Sequence, residues 1–277
     1  MATFAIDADP RLTATDMTRI VELVYRKSGI TLHDGKRALV VARLQKRLRA
    51  LGLPTFAAYV DHVERDATGS EIVALLDAIA TNHTYFFRED AHFTFLRTRI
   101  AAAHGGAGRP LEIWSAACST GEEPYSIAIT LLGLPSPIEF SILASDLSTR
   151  ALAAAGAGVY KQSALGDVPR DILRAWFERG LGPQEGLARI AAPVRRCVTF
   201  RQLNLLELGE LRDSYDVIFC RNVMIYFDRA VQQRVVSALE RRLRPGGHLL
   251  ISHSESLNGV AHSLRWVAPA IYQRGNH

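Results

Sequence analysis

Long apolar runs are missing from this 277-residue chain, although 48% of its residues are hydrophobic. No run approaches the roughly 18 residues that a membrane-spanning helix requires. The first ten residues, MATFAIDADP, also lack the basic flank and the apolar core of a secretory signal. We therefore expect a cytoplasmic protein that does not insert into a membrane.

Cysteine is scarce, and its spacing excludes two classes of protein. Cys118, Cys197 and Cys220 lie far apart and have no CxxC or HxxxH partner nearby. An odd, dispersed set of this kind argues against a disulfide framework and against a zinc site. We expect reduced thiols and no metal.

Acidic residues are absent from one segment, and this absence explains the net charge of +5. Residues 36–59 contain six basic residues and no acid, whereas the rest of the chain has 27 basic residues against 28 acidic ones. Helical periodicity over about Lys36–Ala50 gathers the apolar residues on one arc. Four basic residues lie opposite or beside that arc: Arg43, Lys46, Arg47 and Arg49. The sequence predicts an amphipathic helix with a basic outer face.

Helical patterns fill the first ninety residues. We expect helices at about residues 16–28, with Asp16 as the capping residue, and at 36–50, 55–65, 70–80 and 91–103. The Gly-rich stretch that follows, residues 104–110, cannot continue a helix. The pattern predicts a helical N-terminal domain over residues 1–90, then a linker helix with a Gly-rich connection over residues 91–108.

From residue 109 onward the pattern alternates. Apolar runs of strand length begin at residues 111, 138, 215 and 247, with helical segments between them. Alternation of this kind predicts a parallel sheet with helices on both faces, here over residues 109–277. Two short runs around a Gly/Pro turn, GLGPQEG, interrupt the alternation and predict an inserted β-hairpin at about residues 174–198.

The ends of two predicted strands carry residues suited to a ligand, because ligands of such sheets bind beyond the carboxyl ends of the strands. After the first strand, Gly121 permits a tight turn, and Glu122 and Glu123 then make the helix start unsuitable for a phosphate. GxGxxG is also absent, which disfavours a dinucleotide. The second strand ends at Asp146, and an acid there can accept hydrogen bonds from both ribose hydroxyls.

These acids suit a ligand that combines a nucleoside with a positive charge, and S-adenosylmethionine is such a ligand. The alternative for each of these acids is helix capping, because acids are common in the first turn of any helix. The individual residues leave both interpretations open.

Six segments stand out in the chain: NHTYFFRED, WSAACSTGEEPYSIAI, ASD, QLNLLE, FCRNVMIYFD and HSES, which begin at residues 82, 114, 144, 202, 219 and 253. In this order, and over most of the chain, they resemble the chemotaxis receptor methyltransferase (CheR) family. The resemblance implies an α/β fold: a Rossmann-like class I methyltransferase domain with a small inserted β-hairpin subdomain, preceded by an all-helical domain. It also implies methyl transfer from S-adenosylmethionine to glutamate carboxylates of bacterial chemoreceptors, with S-adenosylhomocysteine as the product.

The resemblance also implies which residues form the site. Cofactor contacts are expected from Asn82, Thr84, Arg88, Glu122, Asp146, Asn204, Leu205, Arg221 and Asn222. Three residues, Arg88, Asn222 and Tyr226, are expected to line the methyl end and act in catalysis. No general base is needed, because a glutamate side chain with a pKa near about 4.3 is already ionised at neutral pH.

The basic helix then suggests a partner. The methylation helices of a receptor are expected to be acidic, and a face formed by Arg43, Lys46, Arg47 and Arg49 would steer them into place. A solvated surface helix and a nucleic-acid site are the alternatives, but the face has no interleaved aromatics and the rest of the chain is nearly neutral. The GLGPQEG turn resembles the subdomain with which some family members hold a receptor's C-terminal pentapeptide.

Two other functions remain open at this stage. One is methyl transfer from S-adenosylmethionine to another acceptor, and the other is a non-catalytic module that senses S-adenosylmethionine. Nothing in the sequence demands more than a monomer.

Overall fold

The computed structural model describes residues 11–80, 83–106, 108–209, 211 and 214–276, except for the side chain of Asp34. The chain forms two compact units, residues 1–81 and 82–277. Within the described ranges, no helix combines the length and the apolar character that crossing a membrane requires.

The first unit is helical, as the sequence predicts. Its helices are α1 (Ala14–Ser28), α2 (Arg37–Leu51), α3 (Phe56–Arg65) and α4 (Ser70–Ile79). Side chains from all four are fully buried and form its core, including Ile20, Leu44, Phe56, Tyr59 and Leu75.

The prediction that Asp16 caps α1 is wrong by one turn. Thr13 is the N-cap, and its hydroxyl oxygen accepts a hydrogen bond from the Asp16 N–H at 3.0 Å. The Asp16 carboxylate in return accepts from the Thr13 N–H at 3.1 Å. Asp16 is therefore the reciprocal acid of a capping box, which stands three residues inside the cap.

Two of the four basic residues on α2 have partners inside the unit. Arg43 donates to the last carbonyl oxygens of α4 and its C-cap, including that of Ile79 at 2.7 Å. Arg47 donates to both carboxylate oxygens of Glu71, a side chain that is only 4% exposed. Lys46 and Arg49, by contrast, are exposed. Among these four residues, Lys46 and Arg49 therefore present their charge to solvent, while Arg43 and Arg47 hold α2 against α4.

The second unit contains ten strands within the described ranges: β1 (Leu111–Ala116), β2 (Phe140–Asp146), β3 (Val159–Lys161), β4 (Phe177–Arg179), β5 (Leu187–Ile190), β6 (Val198–Gln202), β7 (Tyr215–Cys220), β8 (Leu243–Leu250), β9 (Arg265–Ala268) and β10 (Ile271–Gln273). Seven of them form one sheet in the order β6-β2-β1-β7-β8-β10-β9. The first five in this order are parallel, and β10 and β9 extend the sheet antiparallel. The predicted parallel sheet is confirmed, and β6, β9 and β10 add to it.

The helices of this unit are α5 (Ala91–Phe95), α6 (Ala102–His104), α7 (Glu122–Leu132), α8 (Thr149–Ala157), α9 (Arg170–Trp176), α10 (Ala192–Arg195) and α11 (Arg229–Arg242). A π-helical segment, Leu96–Ala101, joins α5 to α6. Phe86, Phe93 and Leu96 are buried in the same core as β1 and α7. The first part of the segment predicted as a linker thus contributes to the core of the second unit.

The predicted insertion is confirmed as a three-stranded antiparallel sheet in the order β3-β5-β4. Strands β4 and β5 form the expected hairpin. Strand β3 directly follows α8 and adds a third strand to the predicted hairpin.

We predict that Arg47→Ala destabilises the protein by about 2 kcal/mol, because it leaves the buried Glu71 carboxylate without its partner. Arg49→Ala, an exposed change on the same helix, should stay within about 0.5 kcal/mol. Denaturant unfolding followed by circular dichroism measures both. Adding Glu71→Gln to Arg47→Ala should restore part of the loss, and a double variant no more stable than Arg47→Ala would contradict the role given to the pair.

Candidate cofactor site at the carboxyl edge of the sheet

Three neighbouring strands end together at one edge of the large sheet. Ala116, the last residue of β1, pairs with Ser145 in β2 and with Cys220 in β7. The chain runs outward from β1 through β2 to β6 and then returns to the other side of β1 as β7. Ligands of open α/β sheets bind at such a change of direction.

The loop after β1, residues 117–121, is folded tightly against the end of β2. Ala117, Ser119 and Gly121 have positive φ angles of 67°, 50° and 97°. The Ser119 N–H donates to Asp146 Oδ2 at 2.8 Å, and the Tyr160 hydroxyl of β3 donates to the Thr120 carbonyl oxygen at 2.7 Å. Non-glycine residues hold such angles only where their surroundings fix them, and such residues cluster at functional sites. The loop is therefore a candidate for ligand binding.

Gly121 is required at its position. A Cβ there would lie 2.9 Å from the Cβ of Ala155 and 3.1 Å from the Tyr160 hydroxyl oxygen. The glycine therefore lets the start of α7 approach α8 and β3 closely, in a conformation that other residues rarely adopt.

Asp146 joins the two loops at this edge. Its carboxylate accepts the Ser119 N–H on one oxygen and the Ser148 N–H, at 2.9 Å, on the other. The N-cap of α8 is Ser148, whose side chain accepts from the Ala151 N–H at 3.0 Å. The capping alternative for Asp146 is therefore wrong, and the acid instead fixes the loop that surrounds the edge.

Glu122, in the first turn of α7, is only 9% exposed. The Thr120 hydroxyl donates to its carboxylate at 2.7 Å, and burial raises the pKa of Glu122 above its ordinary value. It has no ion pair within the described part of the chain. A buried carboxylate of this kind favours a positively charged ligand.

Arg221 is enclosed by the protein rather than open to a ligand. Its side chain is 2% exposed and forms ion pairs with Glu123 at 2.9 Å and with Glu89 at 3.1 Å. It also donates to the carbonyl oxygen of Arg88. The predicted cofactor contact by Arg221 would therefore have to use its backbone, since the guanidinium serves the fold.

The surroundings of Arg221 are charged and buried. Burial alone raises the pKa of Glu89, but the hydrogen bond from Ser252 and the charge of Arg221 outweigh this, and the net pKa is lowered. Burial, followed by the charge of Arg221, lowers the pKa of His92 to about 3, so this imidazole is neutral at physiological pH.

The loop after β7 begins with Asn222 at a positive φ of 58°. Its side-chain nitrogen donates to Ser252 Oγ at 2.7 Å, and its backbone N–H donates to Glu255 at 3.0 Å. Tyr226, at the end of the following 3₁₀ turn, is half-buried. Two of the three residues that we expect at the methyl end, Asn222 and Tyr226, therefore follow β7 at the carboxyl edge.

Asn204 and Leu205 reach the same edge after β6. The Leu203 N–H donates to the Asp146 carbonyl oxygen at 3.1 Å, which sets this segment beside the end of β2. The Asn204 side chain accepts from the Leu206 N–H at 3.0 Å, and Leu205 is buried.

Arg88 and Thr84 precede α5, and both side chains are half-buried. Arg88 donates to the His83 carbonyl oxygen at 3.1 Å, and its guanidinium lies 5.5 Å from the centre of the Tyr85 ring. The hydrogen bond from Arg221 to the Arg88 backbone draws this segment to the edge. Asn82, also expected in the site, lies outside the described residues.

Three polar residues to which the sequence assigns no role bind several of the site residues: Glu89, Ser252 and Glu255. Ser252 and Glu255 follow β8, the next parallel strand in the sheet. Their position after a predicted strand is the one feature of the sequence that points to a place at this edge. Glu89 has no such signal, because Arg221 and Ser252, which bind its carboxylate, lie more than a hundred residues away in the chain.

The residues at this edge fit S-adenosylmethionine. Asp146 and Glu122 provide two acids for a ribose and a positive charge. The Ser119 hydroxyl is buried and has no hydrogen-bond partner among the described residues, as expected for a group that completes its contacts with a ligand.

Comparison with known proteins agrees with this fit. Residues 82–271 match the family model described as CheR methyltransferase, SAM binding domain, and residues 15–80 match CheR methyltransferase, all-alpha domain. A "Chemotaxis protein methyltransferase 2" of Pseudomonas aeruginosa is 43% identical over 94% of this chain and 93% of its own. A "Chemotaxis protein methyltransferase" of Salmonella typhimurium is 40% identical over 95% and 91%. One of Escherichia coli is 41% identical over 90% and 87%.

We predict that Gly121→Ala lowers the stability by about 1–3 kcal/mol, because of the left-handed φ and the close contacts of the new Cβ. Gly156→Ala is the matched control, since this residue lies in α8 and a Cβ there meets nothing within 4 Å. The control should be neutral or stabilising by up to about 1 kcal/mol. Denaturant unfolding measures the stability, and calorimetric titration with S-adenosylmethionine should show weaker binding for Gly121→Ala alone. Equal binding by the two variants would contradict the close approach assigned to this loop.

Proposed function

The chain belongs to the CheR family of chemotaxis protein methyltransferases, and we propose that it methylates glutamate side chains of bacterial chemoreceptors. The donor is S-adenosylmethionine, and the products are a glutamate methyl ester and S-adenosylhomocysteine. The observation that carries the proposal is the pair of acids Asp146 and Glu122 at the carboxyl edge, within a chain that the two CheR models match from residue 15 to residue 271.

In this proposal the edge residues hold the cofactor by its two distinctive parts. Asp146, fixed by the Ser119 and Ser148 N–H groups, accepts from the ribose. The buried Glu122 carboxyl group favours the positively charged end, and Asn204 and Leu205 close the side next to β6. Asn82, Thr84 and Arg88 contribute from the segment that precedes α5. When bound, S-adenosylmethionine supplies an electrophilic methyl group on a sulfonium.

The acceptor carboxylate needs no base, because it is already ionised at neutral pH. The protein's own task is to orient it and to remove water from it. We assign this to Arg88, Asn222 and Tyr226. Among the two arginines of the site, Arg88 is partly exposed, whereas Arg221 is enclosed by Glu89 and Glu123. Arg88 is therefore the arginine suited to a carboxylate that arrives from outside.

The receptor would approach along α2. Lys46 and Arg49 present positive charge to solvent and suit an acidic methylation helix. Arg43 and Arg47, included in the same prediction, contribute mainly by fixing α2 to α4. We propose a monomer in the cytoplasm that binds no nucleic acid.

A second contact would use the small sheet. Its central strand is β5, so β3 and β4 are its edges, and an edge strand can accept a peptide as an additional strand. Leu181, beside β4, is 80% exposed. We propose this edge for the C-terminal pentapeptide of a receptor.

Incubation with methyl-labelled S-adenosylmethionine and receptor tests the proposal directly. We expect label that is released as methanol by mild alkali, because carboxyl methyl esters hydrolyse under these conditions. Alkali-stable label would instead indicate another acceptor, and cofactor binding without transfer would indicate a sensing module.

We predict that the double variant Lys46→Glu, Arg49→Glu slows receptor methylation at physiological salt by roughly 10-fold, because reversing two charges removes the steering. Calorimetry should show unchanged affinity for S-adenosylmethionine. The matched control is Arg234→Glu, Arg241→Glu, which reverses two exposed charges on α11. If both double variants methylate the receptor equally fast, α2 is not the docking face.

A further inference from the structure

Glu255, a half-buried residue behind the loop that follows β7, has no part in the chemistry proposed above. It accepts the backbone N–H groups of Asn222 at 3.0 Å, Met224 at 2.8 Å and Ser252 at 2.8 Å. Burial raises the pKa of Glu255, and these N–H groups oppose the shift. A carboxylate surrounded by backbone donors in this way acts as an internal anion that holds the chain.

Its two oxygens have different tasks. Oε2 accepts from Asn222 and Ser252, so it joins the loop after β7 to the loop after β8. Oε1 accepts from Met224, the first residue of the 3₁₀ turn Met224–Tyr226. Gln232 holds the same turn from the other side, by donating to the Met224 carbonyl oxygen at 3.0 Å.

The loop needs such a support. Asn222 has a φ of 58°, and a non-glycine residue remains in this region only when its surroundings fix it. Besides the bond from its side chain to Ser252, the backbone of Asn222 is fixed by Glu255. Without Glu255, both the angle at Asn222 and the start of the turn would lose their restraint.

We propose that Glu255 is a positioning residue for methyl transfer. Its Oε2 fixes the backbone of Asn222, and its Oε1 fixes the turn that presents Tyr226. The inference rests on the roles proposed for Asn222 and Tyr226 and adds the group that keeps both in place. Glu255 acts through these residues and is not itself catalytic.

Glu255→Gln separates the tasks of the two oxygens. An amide has one acceptor oxygen, and if this stays with Asn222 and Ser252, its NH₂ group faces the Met224 N–H. The NH₂ group and the Met224 N–H are both donors, so they repel each other and the start of the turn must move. We expect kcat for receptor methylation to fall roughly 10- to 100-fold, the loss expected when a positioned group is displaced by about 1 Å. The Kd for S-adenosylmethionine should stay within about 2-fold, because a change confined to positioning the acceptor lowers kcat alone.

Glu240→Gln is the matched control. Glu240 also accepts a backbone N–H, that of Ser263 at 2.9 Å, but it lies near the opposite end of α11 from the turn. Its kcat should equal that of the parent. Thermal unfolding of both variants shows whether each is folded at the assay temperature. Should Glu255→Gln not fold, Gln232→Met removes the other restraint on the turn, and it should lower kcat with the same unchanged Kd.

Equal kcat in Glu255→Gln and Glu240→Gln would overturn the inference. So would weaker S-adenosylmethionine binding with unchanged kcat, because Glu255 would then serve the cofactor. A reduced kcat in Glu255→Gln, with unchanged kcat in Asn222→Ala and Tyr226→Phe, would show that it acts through other groups, and this too would overturn it. A parent enzyme that transfers no methyl group to receptor would contradict the proposed function instead.

Discussion

A buried positive charge holds the second unit's carboxyl edge together. The guanidinium of Arg221 is almost completely removed from water, and such a charge is tolerated only with close counter-charges. Glu123, from the start of α7, and Glu89, from the segment before α5, provide them. One side chain thereby fixes three parts of the chain that are distant in sequence, and each of them carries a residue that we place in the site. Loss of one carboxylate would leave an uncompensated charge in the centre of this arrangement.

Other acids at this edge also hold separate parts of the chain together, but they do so through backbone hydrogen bonds and not through ion pairs. Asp146 and Glu255 each accept backbone N–H groups from two neighbouring loops. Loops fixed in this way reorganise little when a ligand binds or a charge moves, which is the physical basis of electrostatic preorganisation. Glu122 differs because it accepts the Thr120 hydroxyl but has no ion pair among the described residues, and it is therefore the acid best suited to a cationic ligand.

The sequence predicts well those features that depend on short-range patterns. Periodicity identifies the four helices of the first unit, alternation identifies β1, β2, β7 and β8, and a break in the alternation identifies the inserted hairpin. The ordered motifs predict a site at the ends of β1, β2 and β7. Features that depend on long-range partners were not predictable in this way. The partners of Arg43 and Arg47, which are Glu71 and the end of α4, are distant in sequence, so both arginines have the pattern of surface charges. Arg221 is expected as a cofactor contact from the resemblance, and its ion pairs with Glu89 and Glu123 join residues that are farther apart still.

Local errors have an equally physical origin. Asp16 has the sequence pattern of a cap because the capping box uses an acid at its third position, and a sequence alone does not separate the two members of the box. Strands β9 and β10 were overlooked because they extend the parallel sheet as an antiparallel addition that the alternating pattern does not announce.

The bond between Tyr160 and the Thr120 carbonyl oxygen limits how this fold can vary. Tyr160 belongs to β3, the edge of the small sheet, whereas Thr120 belongs to the loop around the cofactor site. Deleting the small sheet would remove the donor that this carbonyl oxygen uses and part of the wall against which Gly121 packs. The insertion is therefore not a removable accessory, and a homologue without it would have to rebuild the loop with a different sequence.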